Sequence, residues 1–203
     1  MGNNAGPHLA NIYLHIYEFN YVKNIGENQE NFDPSYLQKL MNIFRFQDDL
    51  LVLNDGGVFS SIIADIYPAE MIVNNTNLSS SKCTYIDLLI SIYKGKFLYR
   101  LYDKRKDFNF NVISFPFLCG NIPKSTTYGV FLSQLVRYCE VNCNFSHFKN
   151  DVIELSKKLC NQGFELKEIA RKFDQFYESK INIWSKFGED IMKYKNVLLG
   201  VAV

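Results

Sequence analysis

The sequence predicts an α+β protein in which a strand-rich N-terminal half precedes an α-helical C-terminal half. Of its 203 residues, 47% are hydrophobic and 21% are charged, a composition that excludes a disordered chain and provides a packed core. Apolar runs separated by turn residues occur before residue 103, and apolar residues at helical spacing dominate after residue 127. The net charge of +1 gives no strong overall field for an acidic or basic partner.

The first elements follow from apolar spacing and from turn residues. Pro7 suits the first position of a helix, which we expect to extend to about Val22 and to bury one face; that face carries Leu9, Ile12, Tyr13, Ile16 and Tyr17. A helical turn is expected at 37–40. The runs 43–46 and 50–53 predict a β-hairpin with acids at its tip.

The remaining elements are predicted in the same way. A short helix from Val58 ends before Pro68, and 71–73 suits a brief strand. The runs 84–93 and 97–102, separated by Lys94-Gly95-Lys96, predict a second hairpin. Residues 103–125 are punctuated by Pro and Gly and indicate a linker. The spacing beyond residue 127 predicts three helices, with a stop between the second and third at 161–163.

Asp48 and Asp49 form an acidic pair at the tip of the first predicted hairpin. Two carboxylates this close repel each other unless a cation lies beside them. Carboxylate oxygens are the ligands that Mg²⁺ and Mn²⁺ prefer, so a divalent ion would relieve the repulsion. Aspartate is also a common turn residue, and turn formation alone is the competing interpretation.

The segment Phe46-Gln47-Asp48-Asp49 resembles the Y/F-x-D-D motif that reverse transcriptases carry on a palm hairpin. The N-terminal segment resembles the preceding G-x(4)-P block, which is matched by Gly2 and Pro7. Further blocks follow in the order of that family and cover nearly the whole chain: YPAEMIV, TYIDLLISI, LYDKRKDFNF, FPFLCGNIP, YGVFLSQLVRYC and LSKKLCNQGF. The chain therefore resembles the C-terminal part of a reverse transcriptase (RNA-directed DNA polymerase) domain of eukaryotic retroelement type, Penelope-like or related.

This resemblance implies a domain division and a function. Residues 1–114 would form a partial palm with a primer-grip hairpin, 115–126 a linker, and 127–203 a helical thumb. The implied partner is an RNA/DNA primer-template, and the implied reaction is nucleotidyl transfer with two Mg²⁺ or Mn²⁺ ions. The resemblance assigns catalysis and metal binding to Asp48 and Asp49. It assigns template and nucleotide positioning to four residues: Gly2, Pro7, Phe46 and Gln47.

The resemblance also implies that part of the polymerase site is missing. In the family, a further metal-binding aspartate and the fingers precede the G-x(4)-P block, and this sequence begins at that block. We therefore expect the chain alone not to polymerise, with a deoxynucleoside triphosphate as a partner only where an upstream segment is present. The alternative is a domesticated, non-catalytic nucleic-acid-binding or scaffold protein in which the acid pair is merely a turn.

Basic and aromatic residues alternate on and after the second predicted hairpin. Basic residues bind nucleic acid by Coulombic contact with phosphates; the competing interpretation is a solvated hairpin face. The resemblance gives a primer-grip role to five of these residues: Lys94, Lys96, Arg100, Lys104 and Arg105.

The five cysteines include no C-x-x-C pair, which argues against a disulfide framework and favours an intracellular compartment, nuclear or cytoplasmic. Cys139, Cys143 and His147 are four residues apart and would share a helix face. A fourth zinc ligand is not evident, so core packing is the favoured interpretation. No signal peptide or membrane-spanning run is recognisable, so we expect neither secretion nor a membrane partner.

Overall fold

A computed structural model describes residues 5–27, 34–110 and 112–200. These residues combine α-helices with small antiparallel sheets, so the predicted α+β class is confirmed. The chain divides into two compact units between Thr76 and Asn77.

The first unit contains a β-hairpin and helices on either side of it along the chain. Its described elements are α1 (Gly6–Glu27), α2 (Pro34–Leu40), β1 (Ile43–Phe46), β2 (Asp49–Val52) and α3 (Val58–Ile66). The strands pair antiparallel from Ile43↔Val52 to Phe46↔Asp49, as predicted. The strand predicted at 71–73 is wrong, because Met71 N instead donates to Pro68 O at 2.9 Å in a turn.

Asp55 begins α3 as well as ending the hairpin. Its carboxylate accepts hydrogen bonds from Gly57 N at 3.1 Å and from Phe59 N at 2.7 Å, which satisfies backbone donors that a helix start leaves free. Gly57 has φ of 87°, a left-handed conformation that glycine adopts without strain. Residues 55–57 therefore both follow the hairpin and begin the next helix.

The predicted buried face of α1 is wrong. Leu9, Ile12, Tyr13 and Ile16 are exposed, and Tyr17 alone of the predicted set packs inward. The inward side of α1 instead carries Leu14, Tyr17 and Tyr21, which surround the buried residues Phe59, Ile62, Ile66 and Tyr67. Both sides of this helix are apolar, so spacing alone cannot select the buried one.

The second unit begins with a three-stranded antiparallel sheet. Its strands are β3 (Lys82–Tyr85), β4 (Leu88–Tyr93) and β5 (Lys96–Leu101), in the order β3-β4-β5. The β4–β5 hairpin agrees with the prediction. The run 84–93 was predicted as one strand, but it is divided by the two-residue turn Ile86-Asp87, where Ile86 has φ of 56°.

Beyond Pro123 the described part of the second unit is mainly helical, and its three long helices agree with the prediction. The long helices are α4 (Lys124–Val141), α5 (Phe145–Asn161) and α6 (Leu166–Ser179), followed by the short α7 (Ile181–Trp184) and α8 (Lys195–Leu198). The helix stop is confirmed, because α5 ends at Asn161 and Gly163 has φ of 89°. Side chains with no exposed surface fill the space between these helices: Phe131, Leu135, Cys139, Phe148, Val152, Leu159, Ile169, Phe173, Phe176, Ile191 and Leu198.

The segment predicted as a linker, 115–126, lies within the second unit. Phe115 and Leu118 pack against the helical core. Gln162 holds both of them, since Leu118 N donates to Gln162 O at 3.1 Å and Gln162 Nε2 donates to Phe115 O at 2.9 Å. The segment 115–126 therefore belongs with the helices of the second unit, Asn77–Val203.

Candidate nucleic-acid interface

Gln47 and Asp48 form a two-residue turn between the closing pair Phe46↔Asp49. Gln47 has φ of 55°, the left-handed conformation that tight hairpin turns require at this point. Phe46, Asp48 and Asp49 are exposed, and Gln47 is half-buried. The structure therefore brings together the four residues of the F-x-D-D segment at one hairpin tip.

Arg45 attaches this turn to α1. Its Nε donates to Glu18 Oε1 at 2.6 Å and its Nη2 donates to Glu18 Oε2 at 3.2 Å, a bidentate pair. Its Nη1 donates to Asn11 Oδ1 at 2.7 Å and to Gln47 O at 3.2 Å. Tyr67 OH donates to Glu18 Oε1 at 2.7 Å, and burial with this bond raises the pKa of Tyr67. One guanidinium thus joins the helix to the turn carbonyl.

Sequence reasoning missed this network. Arg45 interrupts an apolar strand, and Glu18 is the one acidic residue between Pro7 and Lys23. Single opposite charges within apolar elements are a signal for a partly buried ion pair. That signal would have identified Arg45 and Glu18, and with them the side of α1 that faces inward.

The acid pair does not make a complete metal site with the residues described. Within residues 5–27, 34–110 and 112–200, no group of three or more His, Cys, Asp or Glu side chains is placed to hold a metal ion. Two-metal chemistry needs ions held between several carboxylates, and Asp48 and Asp49 supply only two. Of the predicted positioning residues, Pro7 lies exposed in the first turn of α1 and Gly2 lies outside the described residues.

The five predicted primer-grip residues lie in the β4–β5 turn, on β5 and in the segment after it. Lys94 and Gly95 form the β4–β5 turn with φ of 49° and 72°, and Lys94 Nζ lies 5.4 Å from the centre of the Tyr93 ring. Lys96 and Arg100 are on β5. Lys104 and Arg105 are in a 3₁₀ helix at Lys104–Asp107.

Arg105 is engaged within the protein rather than free for a ligand. Its Nε and Nη2 donate to the Asp103 carboxylate at 2.6 and 3.0 Å, and its backbone N donates to the same carboxylate at 3.2 Å. Burial raises the pKa of Asp103, but these hydrogen bonds and the guanidinium charge outweigh it and hold the pKa below its usual value. Lys94, Lys96, Arg100 and Lys104 form no ion pair with any described residue.

Asn142 attaches β5 to the helices. It is fully buried between α4 and α5. Its Oδ1 accepts from Leu101 N at 3.3 Å, and its Nδ2 donates to Tyr138 O at 3.0 Å and to Asp151 Oδ2 at 2.8 Å. Next to it, Cys143 N donates to Tyr99 O at 3.0 Å. These bonds occupy the outer edge of β5 and fix the strand that carries Lys96 and Arg100.

The helix face predicted for Cys139, Cys143 and His147 is not formed. α4 ends at Val141 and α5 begins at Phe145, so the three residues lie on two helices and the loop between them. Cys139 is fully buried in the helical core, which agrees with the favoured core interpretation, whereas Cys143 and His147 are only half-buried.

Comparison of the chain with protein-family models, with curated proteins and with solved structures finds no match. No helix among the residues that the structure describes is long and apolar enough to cross a membrane.

Proposed function

We propose that this chain is the palm-and-thumb portion of a retroelement reverse transcriptase and that it binds an RNA/DNA primer-template in an intracellular compartment. The observation that carries the proposal is the order of its parts. The F-x-D-D residues lie at a two-residue hairpin turn after α1. A second sheet follows, whose lysines form no ion pair among the described residues, and then the long helices of the same compact unit. This order matches the series of blocks by which the sequence resembles that family.

The proposed activity is nucleic-acid binding by contact with phosphates. Lys94, Lys96, Arg100 and Lys104 support it, because cations without a carboxylate partner keep their charge available for phosphate oxygens. Tyr93, Phe97 and Tyr99 are exposed beside them, and exposed aromatic rings can stack on unpaired bases.

The test is fluorescence anisotropy of a labelled RNA/DNA primer-template titrated with the whole chain across a salt series. We expect saturable binding whose logarithmic affinity falls linearly with the logarithm of salt concentration, because each phosphate contact releases counterions. A folded chain that does not bind the duplex at any salt concentration would contradict the proposal.

A non-catalytic binding or scaffold protein is the second candidate function. The observation that favours it is the absence of a third metal-ligating side chain near Asp48 and Asp49 among the residues described. Mn²⁺ binding, followed by the paramagnetic relaxation of water protons, separates the two. If the acid pair binds Mn²⁺, the Asp48→Asn/Asp49→Asn variant loses that relaxation enhancement. An unchanged enhancement would favour the scaffold.

A further inference from the structure

A polar cleft of about 280 Å³ lies between the β3–β5 sheet and the first turns of α5. Cations from three elements line it: Lys82 from β3, Arg100 from β5 and Lys106 from the 3₁₀ helix. His147 and Asn150 of α5 line the opposite side. Lys82 and His147 have no part in the primer-grip set.

Lys82 and Arg100 reach the cleft because the strand register places them on one face of the sheet. Lys82 lies opposite Ser91, which in turn lies opposite Leu98. Arg100 is two residues beyond Leu98, and side chains two residues apart share a face. Neither cation forms an ion pair with any residue that the structure describes.

The acidic side chains of the cleft accept hydrogen bonds within the protein, and Asp103 has a cationic partner. Asp103 is held by Arg105, Asp107 accepts a hydrogen bond from Tyr102 OH, and Asp151 accepts one from Asn142. The third cation is also neutralised, since Lys106 Nζ lies 2.7 Å from Glu154 Oε2. The donors to Asp107 and Asp151 are neutral groups that do not cancel a carboxylate charge, and Lys82 and Arg100 are the lining cations that form no ion pair with any described residue.

His147 adds a neutral hydrogen-bonding group. Its burial, followed by the charge of Arg100, lowers its pKa, so the imidazole is uncharged at neutral pH. Its Nδ1 is buried with no hydrogen-bond partner among the described residues. Arg100 and His147 both line this cleft.

We propose that this cleft binds a phosphate group, with Lys82 and Arg100 supplying charge and the His147 side chain a hydrogen bond. A guanidinium matches the geometry of phosphate oxygens and an ammonium adds a second charge. The source of the phosphate is a phosphodiester of the primer-template backbone, an identity that rests on the proposed function. Phosphate contact then extends from the β4–β5 turn across the sheet to α5.

The test compares two double variants of the whole chain in the anisotropy assay. Lys82→Gln with Arg100→Gln removes both charges of the cleft and keeps much of each side-chain stem. Lys157→Gln with Lys167→Gln is the matched control, because these lysines are exposed on α5 and α6 and form no ion pair among the described residues. Circular dichroism checks that both variants fold. NMR of the Arg100 side-chain Nε follows titration with inorganic phosphate.

We expect the cleft variant to bind the duplex about tenfold or more weakly, with a salt slope reduced by about 0.9, since the cleft neutralises one phosphate and each neutralised phosphate contributes about that amount. The control should change much less. If the two variants bind the duplex equally well and the wild type also binds it, the proposal of a phosphate site in the cleft is wrong. The proposed function is then unaffected. If the wild type does not bind the duplex, the proposed function fails. Saturable shifts at Arg100 with inorganic phosphate would then support a free phosphate ligand, and their absence would overturn the cleft as well.

Discussion

Arg45 is the residue on which the acidic turn depends. Its guanidinium bridges Glu18, Asn11 and the carbonyl of Gln47 while only 15% of its side chain is exposed. The ammonium of lysine cannot make these bonds together, because it lacks the planar fork. The conformation of the turn is therefore coupled to α1 through one side chain.

We expect Arg45→Ala to lower the free energy of unfolding by about 2–3 kcal/mol, because it leaves the partly buried Glu18 without its charge partner. Urea denaturation measures the change. Lys23→Ala is the control, since Lys23 and Glu27 form an exposed pair at 3.6 Å and such pairs contribute about 0–1 kcal/mol. Adding Glu18→Gln to Arg45→Ala should restore part of the loss. Equal effects of Arg45→Ala and Lys23→Ala would contradict this role.

A second single residue, Asp151, should make the stability of the folded protein depend on pH. Burial raises its pKa despite the hydrogen bond from Asn142, so the folded state holds a proton more tightly than the unfolded state does. This contribution to stability is present below the ordinary aspartate pKa of about 4 and is lost as pH rises through the higher folded pKa. Asp151→Asn removes the dependence. The stability of this variant relative to wild type should therefore increase from pH 4 to pH 7.

Glu154, in the same helix, supplies the opposite control. Burial raises its pKa, but hydrogen bonds from Lys106 and Lys158 outweigh burial and lower it. The stability that this carboxylate contributes is present above its unfolded pKa and is lost as pH falls through its folded pKa. Glu154→Gln should lose stability at pH 7 and match wild type in acid. Parallel pH profiles of the two variants would exclude these assignments.

At the scale of elements, the turn at Ile86-Asp87 is strained. Ile86 has φ of 56°, a left-handed conformation that costs a β-branched residue about 1–2 kcal/mol. Its neighbour Asp87 is paired with Arg137 of α4, which holds the turn against the helix. The register of the sheet and this ion pair together maintain a conformation that the isoleucine disfavours.

Ile86→Gly should stabilise the protein by about 0.5–1 kcal/mol, because relief of strain exceeds the added freedom of glycine in the unfolded chain. Ile92→Gly is the matched control. Ile92 has nearly the same exposure, 48% against 46%, but it lies within β4. There, glycine should destabilise by about 0.5–1 kcal/mol. Thermal unfolding measures the stability of both variants. A less stable Ile86→Gly variant would show that the left-handed conformation of Ile86 is not strained.

The elements also show what the sequence could and could not predict. Apolar spacing correctly located α3, the helical half and the F-x-D-D hairpin, because each has one clearly apolar face or one clear turn. Apolar spacing failed for α1 because both sides of that helix are apolar. The Glu18–Arg45 pair is what distinguishes the inward side from the exposed one. Apolar spacing also missed the turn after Tyr85, because no glycine or asparagine marks Ile86-Asp87. The cleft of Lys82, Arg100 and His147 depends on register and tertiary packing, which no local pattern contains.

At the scale of the whole molecule, the two compact units have cores of different size. In the described part of the first unit, Phe59, Ile62, Ile66 and Tyr67 are the buried hydrophobic residues. In the described part of the second unit, seventeen buried residues form one cluster. Apolar burial is the main favourable term in folding. The second unit should therefore be the more stable part of the chain.

Hydrogen exchange followed by mass spectrometry measures this difference in the intact chain. We expect the amides of α4, α5 and α6 to exchange far more slowly than those of α3, because local opening requires less free energy where fewer apolar contacts are lost. Leu155, which is 1% exposed, provides a calibration. Leu155→Ala should cost about 2–5 kcal/mol by leaving a cavity and should accelerate exchange in the three long helices. Protection of α3 equal to that of α5 in the wild type would show that the size of the local core does not set stability in this protein.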